Sequence, residues 1–200
     1  SMWVVVFTTL ASLRVCTGKA CAQQGAATTL ASMRNLASVA HTTQPPPHTT
    51  HGNLQQRAAT QLANADALVT RCGCLGRCGA GPNVANEQGE IFVDCFKPAR
   101  LVALLEDQEG VEVPPEAARA LLKSRYAERA LRQGSLDTAF SLLTQALNEA
   151  GALRGDSAAF RSSLLSLRAD VSSERGDEEA SRQDMERACA MNVLMCPLAN

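Results

Sequence analysis

Thiols dominate the chemistry this sequence can do. Eight cysteines occur in 200 residues, and four of them, Cys72, Cys74, Cys78 and Cys95, fall within "RCGCLGRCGAGPNVANEQGEIFVDC", residues 71–95. A second pair, Cys16 and Cys21, stands in "VCTGKACAQQGA", and Cys189 and Cys196 lie near the end of the chain. Thiols so spaced are disulfide partners, redox thiols or metal ligands. Disulfides fit poorly: a chain of this length can bury a core without staples, it shows no secretory leader of the usual form, and neighbours with one or three intervening residues are badly placed to bridge. A thiol–disulfide oxidoreductase would need C-x-x-C at a helix start, a pattern missing here. Metal or cluster ligation fits better. Cys74-Leu-Gly-Arg-Cys78 puts two sulfurs on one turn, and Gly73, Gly76, Gly79 and Gly81 let backbone N–H groups approach them.

Other reactive groups are sparse. His41, His48 and His51 all lie in "HTTQPPPHTTHGN", 41–53, whose three prolines fix an extended segment that buries nothing. It reads as a solvent-exposed insertion. No His/Asp/Ser set suggests catalysis, so the expectation is a binding or electron-transfer protein rather than an enzyme. A net charge of −1 and a pI near 6.3 give no electrostatic reason to expect nucleic acid or an anionic membrane as partner. The longest apolar run, "WVVVF", is too short to span a bilayer. The first acid is Asp66, and the acid-free, Ala/Ser/Thr-rich start carries scattered Arg14, Lys19 and Arg34. That composition suits an organellar transit peptide or its remnant. It suggests an organelle of a phototroph, the chloroplast stroma first and the mitochondrial matrix as alternative. Residues 1–10 read as a leader remnant or an additional strand.

The elements that must position the thiols follow from pattern. "LRVC", 13–16, reads as a strand end followed by a tight loop, and 23–40 as a helix with Leu30, Met33, Leu36 and Ala37 at helical spacing. Helix is expected again over 54–64, then a strand "ALVTRC", a cysteine loop, and a hairpin over 83–93 with Gly89 in its turn. Pro98 suits the first position of a helix over 98–107. A linker over 108–115 then leads to an all-helical region, 116–200, of two helix pairs turning at Gly134 and Gly176.

Taken together, the two cysteine motifs resemble the thioredoxin-like [2Fe–2S] ferredoxins and the small thioredoxin-like iron–sulfur subunit of respiratory complex I. There a C-x₄-C near the first strand and a C-x₃-C after the second bind one cluster. The resemblance covers about residues 11–107. It implies an α/β thioredoxin-like domain, a [2Fe–2S] cofactor, and Cys16, Cys21, Cys74 and Cys78 as its four ligands. Four thiolates give two soft sulfurs to each iron, with Lys19 and Arg77 inside the two loops to offset the negative charge. The separation of Cys21 from Cys74 exceeds the family's usual one, and the proline-rich insertion accounts for the excess. Cys72 lies near enough to a ligand to substitute for it; Cys95, among Phe92, Val93 and Phe96, reads as a small core residue. Cys189 and Cys196 have no expected ligand role.

The helical region resembles the tetratricopeptide repeat, whose small residues let paired helices cross closely. Ala127, Ala139 and Ala146 in the first pair, and Ala169, Ala180 and Ala188 in the second, carry that likeness, the second out of step by one residue. Such a domain implies docking to a protein partner. The leading expectation is therefore a one-electron carrier or cluster-bearing subunit. The alternative is a structural zinc module built from Cys72, Cys74, Cys78 and Cys95, which are enough for a closed tetrahedral site; a third is a pure interaction protein without a cluster.

Overall fold

A computed structural model describes residues 13–40, 65, 68–153 and 157–192. The expected helix over 54–64, the insertion with its three histidines, residues 1–10 and Cys196 lie outside these. The architecture is an α/β layer followed by a helical region. Strand β1 (Leu13–Cys16) lies in the middle of a four-stranded sheet of order β2-β1-β3-β4, with β2 at Val69–Cys72, β3 at Val84–Ala85 and β4 at Ile91–Phe92. Strands β1 and β2 run parallel, with Leu13 opposite Val69 and Cys16 opposite Cys72. Strands β3 and β4 form the expected antiparallel hairpin, and β3 adds to the other edge of β1. In the turn Asn86 accepts from the Glu90 N–H through its side-chain oxygen at 2.9 Å.

Several local expectations shift. The stretch after Cys16 is not a plain loop: Lys19–Gln23 closes into a short helix, α1, which carries Cys21. Helix α2 is Ala26–Ala40, starting after the bend at Gly25 rather than at Gln23. It buries Met33, Leu36, Ala37 and Val39 on the sheet side of the molecule. Helix α3 (Pro98–Glu109) starts at its proline as expected and runs two residues beyond Asp107. The segment read as a linker is packed, with Val111 and Val113 buried.

Four helices complete the described chain: α4 (Pro115–Arg132), α5 (Leu136–Gly151), α6 (Ala158–Glu174) and α7 (Glu178–Met191). They pair as α4 with α5 and α6 with α7, and α5 packs on α6. Both hairpins close with the same bond across the turn. Ser135 N–H donates to Ala130 O and Asp177 N–H to Ser172 O, each at 2.9 Å. Ala127, Ala139, Ala146, Ala169 and Ala188 are buried, whereas Ala180 is half-buried. The inward face of α5 is Ala139, Leu143, Ala146 and Ala150, with Leu136, Phe140 and Leu147 half-buried at its flanks. Alanine at the crossing lets the helices approach, and the larger side chains are pushed aside. Helix α2 touches α4 and α6, so the helical region rests on the layer that carries the thiols.

Candidate functional site

Two chain segments far apart in sequence meet at one end of the sheet. Cys16 is the last residue of β1, and its N–H donates to Asn83 O at 2.8 Å. Thr17 then latches onto the second segment, its N–H and its hydroxyl both donating to Cys72 O at 3.0 and 2.7 Å. Gly18 caps α1, and a Cβ at this position would lie 3.0 Å from Cys74 Cβ and 3.2 Å from Cys74 Cα. Contacts that short are tighter than nearly all between real side chains, so a side chain at residue 18 would push the two cysteine loops apart by a few tenths of an ångström. Gly81, at φ +81°, makes the corresponding approach to the backbone of Asp94, whose N–H donates to Ala80 O at 2.8 Å.

The thiols form a row. Cys16 interacts with both Cys21 and Cys74, and Cys74 Sγ stands 3.6 Å from Cys78 Sγ. Cys78 also acts on Cys21 and Cys16 acts on Cys78, so the four lie together, with Cys16 and Cys21 buried and Cys74 and Cys78 exposed. Among the described residues, no three or more His, Cys, Asp or Glu side chains gather as a group able to hold a single ion. Four thiols brought together from two loops are enough donors for two metals, two sulfurs to each, and four are also enough for a single tetrahedral ion.

Electrostatics distinguish the members. Burial pushes the Cys16 thiol up, but hydrogen bonds from the Leu75 and Gly18 backbone and from Cys21 and Cys74 outweigh it, leaving it below the usual value. That thiol is the one best prepared to ionise. Cys21 is raised, by burial first and by Cys16 next. Cys78 is raised by its contact with Cys74. The Gly76 N–H points at Cys74 Sγ at 3.4 Å. Lys19 and Arg77 are exposed in the two loops.

Cys72 sits beside the row without joining it. It is half-buried, and its thiol is pushed up by burial and then by the proximity of Cys16 and Cys74. Cys95 is elsewhere in chemistry: fully buried, it directs its thiol to Phe92 O at 3.3 Å and Val93 O at 3.6 Å, and burial raises it to about 11. The charged groups that act on it are Arg100 and Asp94, with no cysteine among them. Cys189 lies half-buried in α7.

One participant has no counterpart in the sequence reading. Asn83 is fully buried and donates through Nδ2 to Arg77 O at 2.8 Å and to Cys21 Sγ at 3.8 Å. It ties the second cysteine loop to a thiol of the first, while its Oδ1 is buried without a partner. The only sequence signal was a polar residue directly after Gly81-Pro82 and before the apolar β3. Compared with protein-family models, with curated proteins and with solved structures, the chain matches none.

Proposed function

We propose that this chain holds one [2Fe–2S] cluster through Cys16, Cys21, Cys74 and Cys78, and serves as a one-electron carrier or cluster-bearing subunit docked to a protein partner. The observation that carries the reading is the row of four thiols assembled from two loops more than fifty residues apart. Soft thiolates in this number suit an iron–sulfur centre. Bound there, the cluster would supply a one-electron couple. The chain's own contribution is to hold, shield and tune: Cys16 and Cys21 lie inside, at 1% and 2% exposure, and Cys74 and Cys78 face solvent. The exposed pair is the side from which a redox partner would approach.

The rest of the molecule is consistent with this. A parallel β1–β2 pair, an antiparallel hairpin added at β3 and a closing helix α3 support the thioredoxin-like assignment for the layer. The two alanine-lined hairpins support a tetratricopeptide-like docking region, although their repeat exceeds the roughly 34 residues of that family. The zinc arrangement has no such support, since Cys95 is committed to the carbonyls of its own turn.

The test is composition. Protein purified without oxygen, or reconstituted with iron and sulfide, should be red-brown and contain about two irons and two sulfides per chain. One-electron reduction should produce the paramagnetic signal of a mixed-valence cluster, one iron ferrous and one ferric. A colourless protein carrying zinc and no iron after reconstitution would overturn the proposal.

A further inference from the structure

Between the N-terminus of α3, the α1–α2 bend and α4 lies an open cleft of about 770 Å³. Helix α4 has two faces. Ala117, Ala120, Leu121, Ser124, Ala127 and Ala130 are buried, and the stripe of Leu122, Arg125, Tyr126 and Arg129 lines the cleft instead. Large apolar groups stay open to water there: Leu122 is 40% exposed, Phe96 47% and Tyr126 52%. Clustered exposure of this kind marks an interaction surface rather than ordinary scatter.

Charge decides what fits. Lys97, Arg125, Arg129 and Arg132 line the cleft against one carboxylate, Glu128, although the whole chain has a net charge of −1. Glu128 is already held by Arg125 at 3.1 Å, and Lys97 reaches Asp94 at 3.4 Å. Arg129 and Arg132 form no ion pair among the described residues, and Arg125 Nε is buried without an acceptor. Outside the described residues this chain has only two acids, Asp66 and Asp156, and the stretches 1–12, 41–64 and 193–200 contain no Asp or Glu. A second copy facing the cleft through its own would bring the same cations together.

We propose that this cleft docks an acidic segment of a partner protein, its aromatic or aliphatic anchor seated among Phe96, Leu122 and Tyr126 and its carboxylates on Arg129 and Arg132. The cleft begins at Gln23, the end of the short helix that carries Cys21. A segment seated there brings its protein beside the thiol row. The docking surface goes beyond the cluster reading and does not require it.

The experiment is fluorescence anisotropy on the full chain, with a labelled synthetic peptide carrying one tryptophan flanked by glutamates and a control with lysines in their place. The acidic peptide should bind saturably, more weakly as salt rises, and the lysine peptide should not. Arg129→Glu combined with Arg132→Glu should weaken binding about tenfold or more, as should Tyr126→Ala. All three positions are exposed, so the variants should fold, which circular dichroism would check. Arg182→Glu, on α7, should leave binding unchanged. Several results would overturn the docking proposal: equal binding of both peptides, indifference to the arginine reversals, capture by phosphatidylserine vesicles without peptide binding, or a dimer that Tyr126→Ala dissolves. Iron content measured on the same variants separates the two readings. Peptide binding lost with iron retained confirms the cleft, and absence of iron with peptide binding retained removes only the cluster.

Discussion

Asn83 joins the two cysteine loops through a single fully buried carboxamide, and its loss should be felt twice. Removing a buried donor strands the Arg77 carbonyl, so Asn83→Ala should lower unfolding stability by about 1–3 kcal/mol in a denaturant titration. In cluster-loaded protein the same change removes a hydrogen bond to the Cys21 sulfur. Such bonds favour the more negative, reduced cluster, so the midpoint potential should move to a more negative value. An unchanged midpoint on both measurements would mean that Asn83 only fills space. At this scale the sequence was legible where chemistry is carried by residue type: four cysteines in two spaced pairs could be read directly. Asn83 could not, because its importance comes from being placed under both loops by β3. Nor could the place of Cys72, which is set by the register that puts it opposite Cys16.

Elements are held by a few buried polar contacts as well as by alanine packing. Arg168 on α6 binds Asp184 on α7 with two of its three nitrogens, Nε at 2.6 Å and Nη2 at 2.8 Å, and donates through the third, Nη1, to Thr144 on α5 at 3.2 Å. Asp184 is only 3% exposed. Asp184→Ala would leave the half-buried Arg168 guanidinium without its carboxylate and should cost about 3 kcal/mol by chemical denaturation. Glu179→Ala, which removes one of the two exposed carboxylates on Arg182, should leave the midpoint within error. Glu109 gives a pH effect of known sign. It ends α3, where a carboxylate opposes the helix dipole, and its Oε1 is buried without a partner. Burial, and secondarily Glu87, push it from the ordinary 4.5 to about 7. Between those values the unfolded chain has released the proton while the folded chain keeps it. Stability therefore falls as pH rises through that window and stays lower above it. Glu109→Gln should raise stability by about 1 kcal/mol at mildly alkaline pH, allowing for partial solvent exposure, and have no effect below the window. A stabilisation independent of pH would contradict this assignment.

Taken as a whole molecule, the chain is more integrated than its sequence suggests. Residues 108–115 have the composition of a linker, yet Val111 and Val113 are buried and the Val113 N–H faces Glu106 Oε1 at 3.4 Å. Asn35 on α2 donates to Ser163 on α6 at 3.0 Å, and α2 also touches α4. Periodicity revealed the helices and their turns, but not which faces would be shared between the two regions. That depends on shapes that exist only once both are folded. The packing predicts one cooperative unfolding transition, with calorimetric and van't Hoff enthalpies in agreement. Two resolved transitions would mean that the helical region is an independent body. The account as a whole rests on which thiols act together, and a serine panel read by iron and sulfide content tests that most directly. Cys16→Ser, Cys21→Ser, Cys74→Ser and Cys78→Ser should each lose or strongly deplete the cluster, while Cys72→Ser and Cys95→Ser keep about two irons per chain. Metal lost from the Cys72 and Cys95 variants, and retained by those at Cys16 and Cys21, would contradict it.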